Sequence, residues 1–142
     1  MDRAGDGAGP VHCGRLGGVT DLHALRPVDL DFLDSAPVRF DYAVELPAPG
    51  AAVFAAIAAD PSTWTWFPGL GDARYASAAP HGVGTRRAVV MSGVTYRETM
   101  LAWDEPTRWA YRVDESSEDT FLALAKDWTV EDLGDRAVLR WA

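Results

Sequence analysis

Arg87 and Glu98 are the residues of this chain best placed for chemistry. They sit symmetrically about Ser92-Gly93 in the stretch Gly84 to Trp103, GTRRAVVMSGVTYRETMLAW. A Ser-Gly pair between two strand-like runs predicts a two-residue hairpin turn, because glycine supplies the positive φ such turns require. That turn sets Met91 opposite Val94, Val89 opposite Tyr96 and Arg87 opposite Glu98, and residues directly opposite share a sheet face. The same face carries Val89, Met91, Val94, Tyr96 and Met100, so it is the apolar, inward one. An opposite-charge pair on an inward face could orient a ligand carbonyl or acid. Alternatively, Glu98 could serve as a general base with a raised pKa. The plainer alternative is a structural ion pair that fixes strand register.

Aromatic residues surround this pair in the expected layout. The chain has six tryptophans, many for its size. Trp64, Trp66, Trp109, Trp128 and Trp141 are candidate walls of a ligand pocket, together with Val89, Tyr96, Met100 and Tyr111. An ordinary aromatic core would explain any one of them; their excess favours a cavity. Lys126, expected beside Trp141 on the inner face, is either a second polar group or a lysine whose head snorkels to water. His12, His23 and His81 show no ligand spacing, so no metal is expected. Gly82-Val83-Gly84 lacks the third glycine of a dinucleotide fingerprint, and no Gly-x-Ser-x-Gly occurs, so neither a nucleotide cofactor nor serine hydrolysis is expected.

The elements that must position these residues follow from periodicity. Residues 1–24 are rich in Gly and Ala without periodicity and read as a disordered leader. Residues 25–37 read as an irregular surface segment or one helical turn. The ligand-binding domain spans 38–142. Val38, Phe40, Tyr42, Val44 and Leu46 alternate with more polar neighbours and predict a strand. Gly50 to Ala59 predicts a helix with Val53, Phe54 and Ile57 inward, and Ser62 to Leu70 a short second helix capped by Ser62. A short strand at Asp72–Ser77 precedes the hairpin. Asp104 to Thr107 then turns into a strand at Arg108–Asp114, with Met100 facing Tyr111 and Ala102 facing Trp109. Phe121–Asp132 and Asp135–Trp141 form the last pair around Leu133-Gly134, with Trp128 opposite Leu139. Asp127 opposite Arg140 and Glu131 opposite Arg136 would mark the solvated face. The sum is α+β, with helices on one side of a curved antiparallel sheet.

At 142 residues the chain is one domain by length. A net charge of -8 argues against nucleic acid. The lone Cys13 excludes an internal disulfide and fits a reducing cytoplasm. No run of about 18 apolar residues predicts a membrane span.

Taken together, these motifs resemble the SRPBCC superfamily, the START-like, helix-grip group that includes polyketide cyclase/dehydrases and the birch pollen allergen. The resemblance runs from Val38 to Trp141. It is carried by Ala48-Pro49 before the first helix, Asp60 with Trp66-Phe67-Pro68, Gly82-Val83-Gly84, Glu98 with Trp103 and Pro106, and Asp127-Trp128. It implies a sheet wrapped around a long C-terminal helix, with an apolar ligand between them. The sequence ends at Ala142, where that helix would begin, so the domain reads as C-terminally incomplete. Three outcomes are expected: a truncated form, a second copy covering the groove as a homodimer, or the leader folding back over it. The function implied is non-catalytic binding of a hydrophobic, polyketide- or lipid-like molecule. The alternatives are a polyketide cyclase/dehydratase with Glu98 as base and Arg87 holding a carbonyl, and a module whose groove binds a protein partner.

Overall fold

The computed structural model describes residues 21–142. The leader expected over residues 1–24 falls outside the described residues except for its last four. Of those, His23–Ala24 form a short strand, β1, rather than continuing a leader. β1 pairs with the end of the sixth strand, His23 opposite Ser116 and Ala24 opposite Glu115. A two-residue strand held by backbone hydrogen bonds needs no side-chain pattern, so periodicity could not reveal it.

The remaining elements, in order, are α1 (Phe32–Ser35), β2 (Tyr42–Leu46), α2 (Gly50–Ala58), β3 (Leu70–Tyr75), β4 (Arg86–Met91), β5 (Val94–Asp104), β6 (Arg108–Ser116), β7 (Ala125–Asp132) and β8 (Ala137–Trp141). The strands form one curved, open antiparallel sheet in the order β2-β8-β7-β6-β5-β4-β3, with β1 beside β6. The second expected helix is a single 3-10 turn at Pro61–Thr63. Its cap is Asp60, not Ser62: the Asp60 carboxylate accepts from the Ser62 backbone N–H at 3.0 Å and from its hydroxyl at 2.8 Å. Those bonds, the backbone one first, hold the Asp60 carboxyl below its usual value.

The core lies between α2 and the inner sheet face. Val53, Phe54 and Ile57 pack on Trp109, Trp128, Val130 and Leu139. Each such fully buried side chain contributes about 1.5–3 kcal/mol of apolar transfer. No side chain of its own caps α2 at Pro49. Asp132 of β7 does so instead, accepting from the Gly50 N–H at 2.8 Å, and this fixes the helix start to the sheet.

Salt bridges occupy the outer face. Arg108 donates twice to Asp127 at 3.0 Å, and Arg140 pairs with Glu131 at 2.8 Å. Residues 25–37 lie on this side. The Leu25 N–H donates to the Asp114 carbonyl at 2.8 Å, Arg112 reaches the Val28 carbonyl at 3.4 Å, and Leu25 and Val28 are buried.

Candidate functional site

Hairpin β4–β5 forms in the expected register, with Arg87 opposite Glu98, Val89 opposite Tyr96 and Met91 opposite Val94. Ser92 and Gly93 have φ of 50° and 86°, the paired positive values of a tight hairpin turn. The register brings the two charges together inside the protein. Arg87 Nε donates to Glu98 Oε2 at 2.6 Å, and Nη2 lies 2.5 Å from the same oxygen. Arg87 is 3% exposed and Glu98 5%.

Three rings enclose the guanidinium. Its Cζ lies 4.7 Å from the Tyr111 ring, 4.8 Å from Trp109 and 5.2 Å from Trp64. Such cation–π contacts stabilise a desolvated cation. Burial pushes the Glu98 carboxyl up; Arg87, and then the charge of Lys126, oppose this without cancelling it. Burial works hardest against the charge on Arg87, but Glu98, Tyr111 and Tyr75 together outweigh it and hold that group up. Tyr111 is driven up chiefly by burial, with Glu98 adding to it. Among the described residues, five buried side-chain nitrogens have no hydrogen-bond partner: Arg87 Nη1, His81 Nδ1 and the indoles of Trp64, Trp109 and Trp128.

Most of the expected pocket walls pack on one another around this pair. Trp109 centres the cluster, 6.0 Å from Trp64, 5.2 Å from Tyr111 and 6.4 Å from Trp128. Val89, Met100, Trp109, Tyr111, Trp128 and Trp64 are buried, Tyr96 and Trp141 half-buried. Trp66 stands apart at 49% exposure, leaning on Trp64 and Phe67.

Two registers differ from expectation. An irregularity between Met100 and Ala102 keeps Met100 opposite Tyr111 but sets Trp103 opposite Trp109 and Ala102 opposite Ala110. The shift packs Trp103, partly buried, against the inner-face core cluster, while Ala102 is buried opposite Ala110. In β7–β8 the loop is longer than two residues, so Trp128 faces Trp141 rather than Leu139. The two indoles stack at 5.7 Å, and Tyr42 of the edge strand stacks on Trp141 at 5.5 Å.

An apolar groove opens at that end of the sheet. The groove, of about 600 Å³, is walled by Phe32, Phe40, Tyr42, Phe121 and Trp141, with Lys126 also in its lining. Only Trp141 and Lys126 were expected near a ligand. Phe40 and Tyr42 belong to a strand pattern that says nothing about a pocket, and Phe32 lies in the segment read as irregular. Phe121, expected to open the strand Phe121–Asp132, lies in the loop before β7, which begins only at Ala125. The apolar walls stay open to solvent: Val38 is 68% exposed, Phe40 65% and Leu122 86%. A smaller hollow of about 380 Å³ lies behind it, lined by Arg39, Asp41, Asp127 and Arg140. Tyr42 and Trp141 line it as well, so the two hollows share a wall.

Among the described residues no cluster of His, Cys, Asp or Glu could hold a metal ion, and no helix is long and apolar enough to cross a membrane.

Residues 37–142 match the profile of a family described as polyketide cyclase/dehydrase and lipid transport. The uncharacterized proteins Rv2574 of Mycobacterium tuberculosis and Mb2604 of Mycobacterium bovis are each 32% identical over 122 residues, 84% of this chain and 72% of theirs. Among solved structures, a START superfamily protein from Mycobacterium smegmatis superimposes with a TM-score of 0.61 at 12% identity, covering 72% of each chain. Ara h 8.0201 does so with a TM-score of 0.58 at 19% identity, covering 72% of this chain and 71% of the other. These similarities support the helix-grip architecture, and the matching profile carries the family: the chain belongs to the polyketide cyclase/dehydrase and lipid transport family of the SRPBCC superfamily.

Proposed function

We propose that this protein binds a hydrophobic small molecule in the groove between Phe40, Tyr42, Phe121 and Trp141, without transforming it. Family and fold suggest hydrophobic-ligand binding or cyclase-like chemistry. The single observation that favours binding here is an apolar groove of about 600 Å³ whose walls remain exposed, within the size range of small-molecule sites. The cyclase reading would use Glu98 as base. That carboxylate is 5% exposed and already accepts from Arg87 Nε, with Nη2 close to the same oxygen, an arrangement better suited to holding the sheet interior than to meeting a substrate.

A neutral solvatochromic dye such as Nile red tests this. The protein should enhance its fluorescence, and Phe40→Ser should weaken binding several-fold, since losing about 1 kcal/mol of apolar contact costs about fivefold. Phe40 is 65% exposed, so the change spares the core. A protein that leaves the dye silent defeats the proposal. A second copy over the groove is the competing occupant: light scattering would then show a dimer that excludes the dye. A cytoplasmic setting is part of the same proposal and rests on the lone Cys13.

A further inference from the structure

We infer that the ligand is a single-chain anionic amphiphile, its tail in the groove and its anionic head at Lys126, Arg26 and Arg39; this rests on the groove being the binding site. The charge of the groove opposes that of the protein. The chain has 21 acidic residues against 13 basic ones and a net charge of -8. Yet among the described residues the groove is lined by three cations and by no Asp or Glu side chain. A cavity that is apolar along its walls and positive at its polar points, in an acidic protein, complements an apolar chain ending in an anion.

The three cations differ in how free they are. Arg26 lies over the Phe32 ring at 5.9 Å, a contact that leaves the guanidinium edge free to donate. Arg39 reaches Asp41 at 3.5 Å, both exposed, and an exposed pair of this kind holds its partner weakly. Lys126 forms no salt bridge among the described residues. It lies opposite Tyr111 on the inner side of β7, half-buried, and its charge reaches Glu98. A half-buried ammonium beside apolar walls is screened less than a surface one, which makes it the strongest of the three for an anionic head. A neutral lipid would leave it uncompensated, and a cationic one would be repelled.

The test compares monomeric laurate, lauryl alcohol and laurylamine by displacement of Nile red from the full chain. Laurate should bind about tenfold tighter than the alcohol and the amine weakest, and the laurate advantage should shrink as salt rises. Lys126→Met keeps an apolar stem and should bring the ratio of laurate to alcohol affinity toward one. If that variant fails to fold, the wild-type comparison of the three head groups decides alone. Alcohol binding as tightly as laurate overturns this inference while leaving the groove as the binding site. Failure of all three to displace the dye overturns both. A laurate preference that survives Lys126→Met, Arg26→Gln and Arg39→Gln together places the head elsewhere and overturns the inference. So does binding seen only with anionic phospholipid vesicles and not with monomeric laurate, which would mean surface adsorption.

Discussion

Replacing Arg87 by Met isolates the cost of leaving Glu98 without its partner. The wild-type pair is buried, Arg87 at 3% and Glu98 at 5% exposure, with Arg87 Nε donating to one carboxylate oxygen at 2.6 Å and Nη2 2.5 Å from the same oxygen. A hydrogen bond to a charged group is worth about 1.5–3 kcal/mol, and with the second close N···O contact of the ion pair its loss costs about 3 kcal/mol. Losing the contacts to Trp64, Trp109 and Tyr111 adds about 1 kcal/mol. Removing the unpartnered Nη1 returns a similar amount. The expected net loss is about 3 kcal/mol, the lower edge of the range for breaking a buried ion pair and a large part of a domain's total stability of about 5–15 kcal/mol.

The loss should depend on pH in a defined direction. Burial already raises Glu98 above its ordinary 4.5, and without Arg87 the shift grows. A carboxyl raised in the folded state binds its proton more tightly there than when unfolded. Its contribution is therefore fully present below the ordinary value and lost as pH rises through the shifted one. The variant should be nearest to wild type below about pH 4.5 and weakest at neutral pH. Urea unfolding followed by tryptophan fluorescence reads this directly. With a slope near 2 kcal/mol per molar, the midpoint at neutral pH should fall by about 1.5 M. Arg87→Met with Glu98→Leu should recover most of the loss, because apolar replacements of buried pairs are often neutral or better. A single variant within about 0.5 kcal/mol of wild type at every pH, or a double variant as weak as the single, would refute the reasoning.

Other expectations follow from single contacts. Asp132→Ala removes the cap on Gly50 and should cost about 1 kcal/mol in the same urea assay, with little change in slope. Gly93→Ala forces a side chain to a φ of 86° and should cost about 1–2 kcal/mol; an unchanged melting curve would mean the turn relaxes. Burial pushes the Tyr75 hydroxyl up to about 12. Stability should therefore fall as pH rises from about 10 toward that value, and a near-ultraviolet titration should show a late-ionising phenol absent in Tyr75→Phe.

The parts of the fold that could be read from sequence are those where local chemistry leaves one solution. Ser92-Gly93 permits a tight turn with both φ positive, so the register of six residue pairs followed from two residues. Where the chain bends without such a marker, the register moved. The irregularity between Met100 and Ala102 has no glycine or proline to announce it, and it exchanged Trp103 for Ala102 on the inner face. At β7–β8 the reversal spans Leu133 to Arg136, with the Leu133 N–H donating to the Arg136 carbonyl at 2.8 Å. This slides β8 by two residues. A shift of two preserves the faces, so Trp128, Leu139 and Trp141 are still inward. The charges expected outside are still outside with new partners: Asp127 meets Arg108, Glu131 meets Arg140, and Arg136 meets Glu45.

The groove was beyond that kind of reading because it is assembled from places with no shared period. Phe32 comes from a one-turn helix, Phe40 from the approach to an edge strand and Phe121 from a loop, and only the closure of β2 onto β8 brings them to Trp141. The residues expected to line a cavity were instead those large enough to fill one. Trp64, Trp109 and Tyr111 pack around Arg87, with Trp128 against Trp109, and close the inner face over the ion pair. Aromatic excess on a concave face therefore has two structural outcomes, and neighbour spacing decides between them. At centroid separations of about 5–6.5 Å the rings are in mutual contact and leave little room for a ligand among them. The apolar surface still open to a ligand is then what the rings do not reach, at the strand ends, where Lys126 connects the groove electrostatically to the buried pair.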